Sequence, residues 1–145
     1  MEVFVDTSAW FRFVVAGRSA AVEAEHAAVR AAFEDLLHRG TRLVTTNLVV
    51  AETHQLLLIR TDRRAARAFL GAFPAPGVEV VRVGEEHERR AVEEWLDRYG
   101  GQNFSLTDAV SFAVMTERRI GRALALDRHF ATAGFEVLPS GMRGR

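Results

Sequence analysis

Val3-Phe4-Val5-Asp6-Thr7-Ser8-Ala9-Trp10 passes from a short apolar run, through one acid, into helix-forming residues. The β-branched and aromatic run Val3 to Val5 reads as a strand. Thr7 and Ser8 offer the side-chain oxygens that begin helices, and Ala9 to Val15 continues as a helical segment. Asp6 therefore falls at the carboxyl end of a buried strand, the edge at which open α/β sheets bind their ligands.

The same design returns late in the chain, where Ala123-Leu124-Ala125-Leu126 reads as a strand ending in Asp127. Between the two lie alternating segments. Ser19 caps an alanine-rich helix from Ala20 to His38, which Gly40 ends, and Arg42 to Thr45 is a strand. Thr46 or Asn47 caps a helix from Leu48 to Arg60, and Asp62 caps another that runs to Gly71. Val78 to Val83 is a third strand, followed by an amphipathic helix from Glu85 to Arg98. Ser105-Leu106-Thr107-Asp108 has the form of a capping box and opens a helix that Gly121 stops. Phe135 to Leu138 is a last strand, and the tail beyond Ser140 is expected to be unanchored. Strands alternating with helices predict one α/β domain over residues 1–145, built on a mainly parallel sheet.

The composition excludes several chemistries. There is no cysteine, so disulfides, thiolate nucleophiles and Cys-based zinc sites are absent. Every basic residue other than histidine is arginine, which removes phosphate-loop and Schiff-base lysines. The formal net charge is zero, so bulk charge does not advertise a nucleic-acid binder. No leader or membrane-length apolar run is visible, and a cytoplasmic location is the expectation.

Glu52 shares a helical stripe with Leu48, Leu56 and Ile59, which places a carboxylate on an otherwise apolar face. Taken singly, each acid has an ordinary explanation: Asp6 as a cap, Asp108 as half of a capping box, Asp127 as a turn residue, Glu52 as an arginine partner or as a residue at the edge of its apolar face. Taken together, Asp6, Glu52, Asp108 and Asp127 form a cluster if the helices pack over the strand edge. Four like charges raise one another's pKa unless a cation neutralises them. Oxygen ligands without cysteine point to a hard ion, Mg²⁺ or Mn²⁺.

Four motifs carry a family resemblance: Val3-Phe4-Val5-Asp6-Thr7-Ser8, Val49-Val50-Ala51-Glu52, Leu106-Thr107-Asp108-Ala109 and Leu124-Ala125-Leu126-Asp127. In their order and separation the chain resembles the PIN-domain nucleases, and among them the small VapC-type toxins of toxin–antitoxin pairs. The resemblance implies a PIN-like three-layer sandwich with a central sheet flanked by helices. It implies a metal-binding, catalytic quartet of Asp6, Glu52, Asp108 and Asp127, with the hydroxyls of Thr7, Ser8 and Thr107 close by. It also implies a homodimer, and an antitoxin whose C-terminal segment covers the active site.

The expected activity is metal-dependent hydrolysis of RNA phosphodiesters, with Arg12 and Arg128 at the rim as candidate phosphate contacts. Three alternatives stand beside it. One is a housekeeping PIN nuclease, and one an RNA-binding protein that has lost hydrolysis. The third is a phosphoryl-transfer enzyme with Asp6 as nucleophile, against which Ser8 and the missing lysine count. Trp10, Phe11, Phe13, Val14 and Val15 make the first helix apolar nearly all round, so it is buried in the core or under a partner.

Overall fold

Val3, Phe4 and Val5 are completely buried. Successive side chains of a strand point to opposite faces, so this strand is covered on both sides. It is the centre of a sheet of five parallel strands, seen in a computed structural model that describes residues 1–140. The strands are β1 (Glu2–Val5), β2 (Arg42–Thr46), β3 (Val78–Val81), β4 (Arg122–Leu124) and β5 (Glu136–Leu138). Their order is β3-β2-β1-β4-β5, with every neighbouring pair parallel. The helices are α1 (Thr7–Val14), α2 (Ala20–His38), α3 (Asn47–Arg60), α4 (Arg63–Gly71), α5 (Glu85–Arg90), α6 (Leu106–Arg118) and α7 (His129–Thr132).

The chain winds outward from β1 to β2 and β3, then crosses back to place β4 on the other side of β1. The strand order thus reverses between β1 and β4, and the carboxyl edge at such a reversal is where open parallel sheets bind their ligands. Aromatic side chains hold the helices against each face. On one, Trp10 of α1 meets Phe33 of α2 and Phe69 of α4, with ring centroids 5.1 and 5.9 Å apart. Its indole N–H also donates to Thr45 Oγ1 at 3.3 Å. On the other, Phe4 packs on Phe130 of α7, and Phe130 meets Phe112 of α6 edge-on at 4.9 Å. Burying one such side chain contributes about 1.5–3 kcal/mol relative to leaving it in water.

The caps form as the sequence predicts. Ser19, Thr46 and Asp62 accept backbone N–H groups at the starts of α2, α3 and α4. Ser105 and Asp108 make the reciprocal capping box of α6.

Four local expectations are corrected. β4 ends at Leu124, so Ala125 and Leu126 belong to the loop that carries Asp127. β3 ends at Val81, because Val83 turns its N–H to the side chain of Asn47 (2.8 Å). The helix expected over Glu85 to Arg98 is α-helical only to Arg90 and then π-helical over Ala91–Leu96. There the N–H of Asp97 reaches Val92 O at 2.8 Å, and Trp95 packs on Phe112. Finally, α6 is stopped by Arg119 rather than Gly121: Arg119 takes the left-handed conformation (φ 57°), and Ile120 N–H returns to Met115 O at 2.8 Å. The tail that the sequence leaves unanchored lies, beyond Ser140, outside the described residues.

Candidate metal centre

Asp6 extends β1 by one residue. Its N–H donates to Leu124 O of β4 at 3.0 Å, which sets the acid on the boundary where strand order reverses. Its carboxylate caps α1: Oδ2 accepts the N–H (3.3 Å) and the hydroxyl (2.8 Å) of Ser8. The same hydroxyl oxygen accepts the N–H of Leu126 at 2.9 Å. Ser8 thereby ties Asp6 to the loop leading into Asp127.

Asp127 is turned by the start of α7, since its Oδ1 accepts the N–H of His129 at 3.0 Å. Asp108 lies in the first turn of α6, where Oδ2 accepts Ser105 N–H at 3.0 Å and meets Nδ1 of His129 at 2.8 Å. Ligand atoms of Asp108, Asp127 and His129 all lie within 4.8 Å of one another. Glu52, on α3, is not in that group; its Oε1 accepts the hydroxyl of Thr7, the residue after Asp6, at 2.5 Å.

Of the two ordinary readings of Glu52, the structure gives the one at the edge of the apolar face. The buried stripe of α3 is Val49, Thr53 and Leu57, and Ile59 is 71% exposed. The helix is rotated so that Glu52 flanks that stripe, half-buried beside α1.

Asp6 is only 2% exposed, and its carboxyl is held well above the ordinary range. Burial is the main cause, followed by the charges of Asp127 and Asp108, against which the bonds from Ser8 and Thr7 act. Asp127 is raised as well, first by burial and then by Asp108, with the His129 N–H opposing. Among the described residues no arginine is ion-paired with any of the four acids. A partly buried acid cluster with no arginine paired to it among the described residues, offering carboxylate oxygens, suits a hard divalent ion.

The other candidates lie differently. Arg12 is committed to Glu25 of α2 (2.9 Å) and to Val15 O (3.1 Å). Arg128 is exposed directly after Asp127. Thr107 gives its carbonyl to Ser111 Oγ at 2.7 Å, and its hydroxyl makes no bond to the acids among the described residues. His129 was missed by sequence reasoning. Its signal was a histidine two residues after Asp127, and its partner Asp108 stands 21 residues away.

The PIN domain model matches residues 3–136. The 23S rRNA-specific endonuclease VapC20 of Mycobacterium tuberculosis is 36% identical over 138 residues, covering 94% of this chain and 98% of that protein. A VapC ribonuclease of Archaeoglobus fulgidus is 33% identical over 91 residues, 62% of this chain and 56% of that protein. The crystal structure of VapC20, described as a sarcin–ricin-loop-cleaving toxin, superposes with a TM-score of 0.79 over 92% of this chain and 95% of that one. Rickettsia felis VapBC2 bound to promoter DNA shares the fold at 11% identity, with a TM-score of 0.68 over 94% of this chain and 97% of that one. With sheet order, acid placement and these matches in agreement, the chain belongs to the PIN-domain family.

Proposed function

We propose that this chain is an endoribonuclease that hydrolyses RNA phosphodiesters with Mg²⁺ or Mn²⁺, and that it is the toxin of a type II toxin–antitoxin pair. The observation that carries the reading is the meeting of Asp6, Asp108 and Asp127 at the switch point, with Asp6 buried and its pKa raised. The naming of relatives as ribonucleases supports it, and makes 23S rRNA the first substrate to try.

Asp6, Asp108 and Asp127 would hold the cation, with Glu52 binding directly or through water. Bound there, a divalent ion supplies an acidified water and charge neutralisation at the phosphate. The chain's own residues do the rest. Ser8 fixes Oδ2 of Asp6 and the Leu126 loop together. Thr7 holds Oε1 of Glu52 beside the first turn of α1. Arg128, exposed beside Asp127, would grip a flanking phosphate; the engagement of Arg12 with Glu25 makes it the weaker candidate.

The antitoxin would occupy an apolar groove of about 400 Å³ lined by Trp10, Phe13, Phe33, Ala68, Phe69 and Phe73. A homodimer acting in the cytoplasm completes the proposal; no helix among the described residues is long and apolar enough to cross a membrane. The test is cleavage of 23S rRNA by purified protein with and without chelator, alongside folded Asp6→Asn and Asp108→Asn variants. Activity should require the added ion and vanish in both variants; cleavage that persists in them rules the mechanism out.

A further inference from the structure

His129 touches two of the acids at once. Its backbone N–H donates to Asp127 Oδ1 at 3.0 Å, and its ring Nδ1 lies 2.8 Å from Asp108 Oδ2. An ionised carboxylate only accepts, so the ring bond requires the proton on Nδ1. Oδ2 of Asp108 also takes the Ser105 N–H. Two donors therefore commit one oxygen of Asp108, and Oδ1 is the oxygen without a hydrogen bond among the described residues. Phe104 stands edge-on to the imidazole, with centroids 5.6 Å apart and planes at 80°, and limits its rotation. The contact joins α7 to α6 across 21 residues, which capping of α7 alone does not call for.

We propose that His129 is a positioning residue that clamps Asp108 and Asp127 together and presents the free oxygen of Asp108 to the cation, without itself binding the ion. This rests on the metal-centre reading above. Groups that orient metal-binding carboxylates hold the ligand geometry in place before the ion arrives, and their loss weakens metal binding about 10–100-fold.

The test is calorimetric titration of Mn²⁺ into the metal-free full chain, with no RNA present. His129→Ala should weaken Mn²⁺ binding about 10–100-fold. His129→Asn keeps an N–H close to the position of Nδ1, and should return the affinity to within about threefold of wild type. Thermal melts of the metal-free proteins show whether each variant is folded, and the Asn variant carries the comparison if the Ala variant is not. Unchanged Mn²⁺ affinity in His129→Ala, or an Asn variant as weak as Ala, overturns the assignment. So does a ¹⁴N coupling from a ring nitrogen in the electron-spin-echo spectrum of bound Mn²⁺, which would make His129 a direct ligand. Wild-type protein that takes up no Mn²⁺ would instead overturn the metal centre itself, and this clamp with it.

Discussion

Thr7 Oγ1 donates a 2.5 Å hydrogen bond to Oε1 of Glu52, joining the first turn of α1 to α3 across 45 residues. The bond orients a half-buried carboxylate that has no arginine partner among the described residues. Thr7→Val keeps the shape and removes the donor. Cleavage should fall about 10–100-fold, as for other groups that orient metal-binding carboxylates. Stability should change by about 1 kcal/mol, the usual net worth of one hydrogen bond. A Thr7→Val enzyme with wild-type kcat/KM would show that Glu52 needs no such support.

The raised pKa of Asp6 predicts how the metal-free protein responds to pH. The folded state holds the proton more tightly than the unfolded chain, whose aspartate titrates near 3.8. Full stability is therefore present below that value and is lost as pH rises through the higher folded pKa. Melting temperature should fall as pH rises from about 4 toward neutrality. Asp6→Asn should flatten that fall and raise the metal-free melting temperature at pH 7. Added Mn²⁺ should stabilise wild type and not the variant. A melting temperature that rises from pH 4 to 7 in chelator contradicts this.

Glu79 behaves in the opposite sense. Arg118 and, more weakly, Arg42 pull its pKa from 4.5 to about 2, through bonds from Arg118 Nη1 and Nη2 that are both 2.8 Å long. A depressed carboxylate stabilises above its unfolded pKa, and the contribution is lost as pH falls from about 4.5 to about 2. Its side chain is 35% exposed, so solvent screening limits the effect to about 1 kcal/mol. Glu79→Gln should cost that much in urea melts at pH 7 and close to nothing at pH 2. An equal cost at both pH values would mean that packing, not charge, holds Arg118.

Arg119 carries a left-handed conformation without being glycine. That conformation costs an ordinary residue about 1–2 kcal/mol, while glycine loses about 0.5–1 kcal/mol more backbone freedom on folding. Arg119→Gly should therefore stabilise by about 0.5–1 kcal/mol, read as a higher denaturation midpoint with unchanged slope.

The groove proposed for an antitoxin makes a separate prediction. Ala68 is exposed on its wall, and Val14 at its edge is 38% exposed. Ala68→Arg or Val14→Glu should leave melting temperature and RNA cleavage within error and weaken capture of the neighbouring gene's product at least tenfold, about 1.4 kcal/mol. Unaltered capture by both variants would move the partner elsewhere.

The sequence by itself determined the elements and most of their ends. Hydrophobic spacing and caps depend on residues a few positions apart, so the strand before Asp6, the caps at Ser19 and Asp62 and the box at Ser105 and Asp108 were readable in one dimension. Only the tertiary structure decided how the acids meet. Placing β4 beside β1 rather than beside β3 is a choice of crossover, and it alone brings Asp127 to Asp6. The rotation of α3 about its axis follows from packing Val49, Thr53 and Leu57 inward, and this, which the helical stripe left open, sets Glu52 at the edge of the apolar face. The pairings of Arg12 with Glu25 and of His129 with Asp108 depend on which helices the crossovers bring together, and no local pattern encodes that.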